Sequence, residues 1–191
     1  MSDNLREELQ HKNEETLRSV NAKDFNLPEE LHVYHSLYPL DIRQEKSVKV
    51  FGYPSWVYKS TCSVDGRVYS LRRIEGFRLT NEVAMSTIEN WRKIRHANIV
   101  SIREAFTTKA FGDHSLVFVY DYHPLSQTLF DKHFSSTQMS AQFHSNISES
   151  VLWSYIVQLA STLKTIHSSN LAARMIEPTK ILLTSKNRSV N

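Results

Sequence analysis

The residue types between Ser55 and Tyr120 set one order of elements. Ser55 to Cys62 is rich in Trp, Val, Tyr and Thr and reads as a strand. Asp65-Gly66 is a hairpin turn, and Val68 to Ile74 is the returning strand. A helix follows, with Thr80 as N-cap and Glu82 favourable in its first turn. Its apolar residues Ala84, Ile88, Trp91 and Ile94 recur three and four apart, as one buried face requires. His96-Ala-Asn-Ile-Val100 leads into a strand ending at Thr107, and Leu116-Val-Phe-Val-Tyr120 is a further strand. Downstream, Ser148 caps a long helix to His167 with a buried stripe of Val151, Leu152, Tyr155, Ile156, Leu159, Leu163 and Ile166.

Strand, hairpin, strand, helix, strand, strand is the order of a protein-kinase N-lobe, and the long helix sits where the main C-lobe helix belongs. His96-Ala-Asn-Ile-Val100 is similar to the H-P-N-I-V that follows a kinase C helix. Leu171-Ala-Ala-Arg-Met-Ile-Glu-Pro-Thr-Lys-Ile-Leu-Leu183 resembles the kinase catalytic loop, H-R-D-L-K-P-x-N-I-L-L. Anchoring on Ile181-Leu182-Leu183 puts Ala173 at the His, Arg174 at the Arg, Met175 at the Asp and Lys180 at the Asn. A thioether does not accept a proton at neutral pH, and an ammonium does not coordinate magnesium. The sequence therefore predicts an α+β, protein-kinase-like (pseudokinase) fold: an antiparallel N-lobe sheet with its C helix, then the start of a mainly helical C-lobe. The expected division is a charged, disordered N-terminal tail over 1–26 (solvated or a frayed helix, with a docking helix as the lesser reading), a kinase-like N-lobe over 27–120, and a hinge and incomplete C-lobe over 121–191.

Longer strings narrow the resemblance. Phe51-Gly-Tyr-Pro-Ser-Trp-Val-Tyr-Lys59, Tyr69-Ser-Leu-Arg-Arg-Ile-Glu-Gly-Phe-Arg-Leu-Thr-Asn-Glu82 and Val119-Tyr-Asp-Tyr-His-Pro124 are similar to one pseudokinase family, as are Tyr34-His-Ser-Leu37 and Leu171-Ala-Ala-Arg174. The family is the regulatory, adaptor subunit of the poly(A)-specific nuclease (PAN) deadenylation complex, and the resemblance runs from about Leu27 onward. It implies a non-catalytic subunit that binds ATP without hydrolysing it and helps bring an exonuclease to messenger RNA poly(A) tails. The implied partners are the exonuclease subunit, poly(A)-binding protein and poly(A) RNA, with homodimerisation through a coiled coil that lies beyond these residues. The implied location is cytoplasmic. An atypical or weakly active Ser/Thr kinase is the alternative, disfavoured by Met175 and Lys180; a non-functional truncated fragment is another. The end at Asn191, ahead of any metal-binding D-F-G segment, makes a truncated fold the expectation and leaves part of the long helix's stripe exposed.

The candidate ligand residues follow position by position. Arg72 stands where the kinase strand lysine pairs the nucleotide phosphates. The strand alone reads equally as a surface cation or a phosphate ligand, and the resemblance favours phosphate. Arg73 points to the opposite face and reads as structural or surface. Asp121, Tyr122 and His123 fall at the hinge, where backbone groups would meet adenine. Pro124, Leu125, Ser126, Gln127 and Thr128 follow, and the resemblance implies ribose or phosphate contacts there. Thr179 and Lys180 read alone as an exposed loop pair. With the resemblance, Lys180 would place a cation beside the phosphates and partly replace magnesium. Two other parts of a kinase site are missing. Gly52 and Pro54 offer no multi-glycine phosphate cradle, since proline has no amide hydrogen. The position of the C-helix glutamate is Thr87, with Glu82 and Glu89 out of register. No catalytic residue and no metal site is expected.

Composition excludes several classes. The single cysteine, Cys62, rules out an internal disulfide framework and a cysteine-rich zinc site, and suits a reducing compartment. No apolar run reaches the roughly 18 residues of a membrane span. The net charge of +3 is too small to mark a nucleic-acid binder. Lys59, Arg67, Arg72, Arg73, Arg78, Arg92, Lys93 and Arg95 do cluster near Tyr53, Trp56 and Tyr58. They read as a solvated basic face over core aromatics or as a stacking surface for single-stranded RNA.

Overall fold

Strand pairing starts at the Asp65-Gly66 turn, where Gly66 adopts a φ of 67° that disfavours any side chain. Asp65 locks the turn by accepting from the Arg67 amide at 2.9 Å and the Tyr69 hydroxyl at 2.6 Å. The computed structural model describes residues 3–20, 25–40, 52–77, 82–134, 147–185 and 188–190. The chain divides into two units, Met1–Arg92 with Ser101–Tyr122 and Lys93–Val100 with His123–Asn191.

In the first unit, helix α1 (Asp3–Leu17) precedes strands β1 (Glu30–Leu31), β2 (Tyr34–Pro39), β3 (Ser55–Cys62) and β4 (Val68–Glu75). Helix α2 (Glu82–Lys93) and strands β5 (Ile102–Thr108) and β6 (Ser115–Asp121) follow. Among the described residues, six strands form an antiparallel sheet in the order β1-β2-β3-β4-β6-β5. The alternation of β4 sends Leu71 to one face with Tyr34, Leu37, Tyr58, Val117 and Val119, all buried in one core. Ile74 and Leu116 occupy the other face, with Phe77 and Phe118 against them. This is the sheet expected of a kinase-like N-lobe.

The hairpin, α2, β5 and β6 follow the sequence expectation. Strands β1 and β2 add to it, and the tail over 1–26 contains a helix of 15 residues. Thr80 lies outside the described residues. Arg73 is structural, as expected of its face. Its guanidinium bonds Asp113 at 2.7 Å and Ser115 at 2.8 Å and lies 4.1 Å from the Phe111 ring centroid. Asp113 also accepts from the Gly76 amide at 3.0 Å, so one carboxylate ties β4, its exit turn and the β5–β6 loop together.

In the second unit, strand β7 (Gln127–Thr128) runs into helix α3 (Leu129–His133). Helix α4 (Glu149–Ser168), a 3-10 turn (Pro178–Lys180), β8 (Leu182–Ser185) and β9 (Arg188–Val190) follow. Strands β7, β8 and β9 pair antiparallel. The segment Lys93–Val100 groups here, and the His96 ring bonds the Ser161 hydroxyl of α4 at 3.1 Å. One reading of α4 needs correction. Ser148 sits at the N-cap, but its hydroxyl meets Ser150 at 3.1 Å and caps no backbone amide. Tyr155, Thr162 and Ile166 are buried on α4, and Leu152 and Ile156 are exposed beside Trp153 and Val157, so part of the stripe is exposed, as expected. The described elements cover only one side of the helix. Most of the loop expected over Ser135 to Ser148 lies outside the described residues.

The Asp113 cluster gives a stability prediction. Burial raises its carboxyl, and bonds from Ser115, Gly76 and Arg73 more than reverse this, leaving it below its ordinary 3.8. A depressed carboxylate stabilises the fold above the unfolded value and stops doing so as pH falls through the folded one. Asp113→Ala should cost about 1.5–3 kcal/mol at neutral pH in denaturant melts. Wild-type stability should fall as pH drops below 3.8, and Asp113→Asn should flatten that dependence.

Candidate nucleotide-binding site

Arg72 pairs across β4 with Val57 on β3 and Phe118 on β6. With a side-chain period of two, Arg72 shares its face with Ser70 and Ile74 of β4, Val57 and Lys59 of β3, and Phe118 and Tyr120 of β6. It is half-buried. Among the described residues no carboxylate pairs with it, whereas Arg73, Arg92 and Arg103 each hold one, Asp113, Glu89 and Asp121. The Tyr120 hydroxyl is pushed up by burial while the charge of Arg72 pulls it the other way, so the two lie close on this face. A guanidinium on a packed sheet, with no carboxylate partner among the described residues, is suited to a phosphate. At the C-helix position Thr87 is exposed, and Glu89 bonds Arg92 at 2.7 Å.

Asp121 ends β6. Its carboxylate takes both fork bonds of Arg103, at 2.6 and 3.0 Å, which raises the Arg103 pKa. The Asp121 backbone lies in the β4–β6 ladder, paired with Tyr69. Tyr122 is half-buried, and its hydroxyl is pushed up to about 12 by burial, then by Glu15 and Tyr38.

The second unit holds the other candidate residues. The His123 carbonyl accepts from the Ser126 amide at 3.3 Å and the Ser126 hydroxyl at 2.8 Å. Pro124 and Leu125 form the intervening turn, with Leu125 exposed at φ 59°. Gln127 is exposed and pairs with Leu183, while Thr128 pairs with Leu182. The Thr128 hydroxyl caps α3, accepting from the Asp131 amide at 3.0 Å and donating to its carboxylate at 2.8 Å. Both Ser126 and Thr128 thus spend their protons locally and keep only acceptor lone pairs. The turn Pro178–Lys180 packs against α3 and β7, bringing Thr179 and Lys180 together with Gln127 and Thr128. Thr179 donates to Glu177 at 3.4 Å, and the Lys180 amide donates to the Glu177 carbonyl at 2.8 Å.

The glycine-poor turn agrees with its plain reading. Gly52 has φ 86°, and the Pro54 carbonyl accepts from the Glu75 amide at 2.9 Å. Residues 41–51 of that connection lie outside the described residues. Several described members of the basic–aromatic cluster are engaged in packing or pairing. Tyr58 is buried in the core, Trp56 packs on it and donates to Glu75 at 3.0 Å, and Arg73 is held by Asp113. Arg78 lies outside the described residues. Lys59, read from sequence as one more surface cation, is 3% exposed. A lysine inside a buried strand pattern was the available signal. Among the described residues no group of three His, Cys, Asp or Glu is placed to hold a metal ion, and no helix is long and apolar enough to cross a membrane.

Comparison with known proteins is consistent in every direction but one: no family model matches the chain. The chain is 49% identical, over 98% of its length, to the PAN2-PAN3 deadenylation complex subunit PAN3 of Coccidioides immitis (strain RS), and 47% identical to that of Emericella nidulans. It spans 29% and 28% of those relatives. A structure of the Neurospora crassa PAN3 pseudokinase covers 99% of the chain at TM-score 0.87 and 45% identity, the match spanning 45% of that structure. The Drosophila melanogaster PAN3 pseudokinase covers 85% of it, over 42% of that structure, at TM-score 0.75 and 44% identity. Rad53 in complex with AMP-PNP, at 16% identity and TM-score 0.60 over 81% of the chain and 37% of that structure, shares the kinase fold.

The α3 cap supplies a local test. Thr128→Ala should cost about 1 kcal/mol in thermal or denaturant unfolding, and Thr128→Ser should retain most of it.

Proposed function

The chain belongs to the PAN3 family of deadenylation-complex subunits, and on that premise we propose that it is a non-catalytic, ATP-binding pseudokinase adaptor in messenger RNA poly(A) tail shortening. Catalysis is absent because Met175 replaces the proton-accepting Asp and Lys180 the metal-binding Asn. One observation carries the nucleotide reading: Arg72 is a half-buried guanidinium without a carboxylate partner among the described residues, fixed on a packed sheet. Lys180 adds a second cation at the position where a kinase holds magnesium. The backbone of Asp121, Tyr122 and His123 would take the base. Pro124 to Thr128 and Thr179 would line the ribose and phosphates. The residues present fit ATP better than they fit ATP with a coordinated metal.

A ligand that binds only the folded chain stabilises it by RT ln(1 + [L]/Kd), about 2.7 kcal/mol at a hundredfold excess. In this account ATP is a structural ligand of that kind. For the full-length protein we further propose the exonuclease subunit, poly(A)-binding protein and poly(A) RNA as partners, a homodimer, and a cytoplasmic location. A Neurospora crassa PAN3 has been seen in complex with PAN2, which supports the first of these.

Two outcomes test the reading. Labelled ATP with magnesium or manganese and generic protein substrates should give background phosphate transfer only. ATP titration by calorimetry or thermal shift should give similar affinity with and without a chelator, and Arg72→Ala or Lys180→Ala should each weaken it by about 1.5–3 kcal/mol. Binding that appears only with magnesium, or turnover that vanishes in Arg72→Ala, would contradict it.

A further inference from the structure

Lys59 is a cation taken out of water, and its compensation comes from helix α1. Its Nζ donates to the carbonyls of Glu15 at 2.7 Å, Thr16 at 3.0 Å and Arg18 at 2.5 Å. An ammonium has three protons, and all three are used. The acceptors are the unsatisfied carbonyls at the C-terminal end of α1, where the helix dipole also favours a cation. The Nζ lies 5.0 Å from the Tyr38 ring centroid and 6.0 Å from that of Tyr122, and Arg18 lies 5.5 Å from Tyr38. Even so, burial lowers the Lys59 pKa below 10.5, with Glu15 acting the other way.

Helix α1 has little else to hold it. Residues 4–11 are exposed, as are Leu5, Leu9 and Leu17. Its sequence has no continuous apolar stripe, and a polar helix of about 15 residues is marginal alone. Its seat is its last turn. That turn rests on a defined face, because Lys59 pairs with Ser70 and Val57 with Arg72, placing Lys59 on the Arg72 side of the sheet. There it meets Tyr122, whose hydroxyl is raised by burial and then by Glu15.

We propose that α1 is a cis-acting clasp, fastened by Lys59 to the Arg72 face of the sheet, that holds Tyr122 and the Asp121–Tyr122 backbone in position for the base of a nucleotide. Lys59 is a positioning residue in this scheme and contacts no ligand. The ligand half of the inference rests on the nucleotide reading above, and the fastening half does not. Opening the clasp leaves the binding-competent arrangement a minor population and weakens apparent affinity by that fraction, about tenfold if it is closed one time in ten.

The test uses the whole chain with Lys59→Met, which keeps bulk and removes the cation, and Thr16→Pro, which breaks the last turn of α1 without touching the sheet. Amide exchange over residues 12–18 and the alkaline titration of Tyr122, followed by tyrosinate absorbance or NMR, report the fastening without nucleotide. Both variants should speed exchange, move Tyr122 from about 12 toward the ordinary tyrosine range, and weaken ATP about tenfold. Lys59→Arg should restore all three. Unchanged exchange and an unchanged Tyr122 titration in Lys59→Met would overturn the clasp. Released α1 with wild-type ATP affinity would overturn the positioning role. A wild-type chain that binds no ATP would instead overturn the nucleotide reading, and the exchange and titration arms would still decide the fastening.

Discussion

The register of β4 between β3 and β6 is the constraint on which the candidate site depends. Leu71, completely buried, fixes which face of the strand meets the core. The alternation then assigns Arg72 to one face and Arg73 to the other. A one-residue slip would exchange two arginines with opposite fates. Arg73 is held by Asp113 and Ser115 and covered by Phe111, so its charge is consumed in stabilising the unit. Arg72 keeps its charge available. The hairpin turn at Asp65-Gly66 and the Arg73–Asp113 tie fix that register at both ends of the strand.

The same economy of charge recurs nearby. Asp121 is held by Arg103, and Lys59 is used up on α1. An unpaired buried charge is costly, so folding gives each of these groups a partner. Arg72 is half-buried rather than buried, so its charge remains partly solvated and does not incur that penalty. On the proposed reading this cation would meet the phosphates in place of a glycine cradle, since the equivalent stretch offers Gly52 and Pro54 only.

Much of the fold was legible because it is written in local chemistry. The hairpin, α2, β5, β6 and α4 follow from turn residues and periodicity, and the opposite fates of Arg72 and Arg73 follow from strand alternation. The illegible parts depend on contacts between segments far apart in sequence. Nothing local in Asp3–Leu17 says that its last carbonyls meet Lys59, because the partner is more than forty residues away. Ser148 has the right side chain and position for a cap but turns to Ser150, while Thr128 makes a cap that the sequence reading does not include. The hinge and the Thr179–Lys180 pair were reached through resemblance, since exposed loop residues have no periodicity to read.

The most direct measurement is the side-chain Nε–Hε NMR spectrum of the arginines during an ATP titration in the presence of a chelator. The account predicts that the Arg72 signal shifts and saturates with the ligand while that of Arg73, held by Asp113, stays in place. A titration that moves neither signal, or moves Arg72 only after magnesium is restored, would contradict the claim that this sheet offers its own charge to the phosphates.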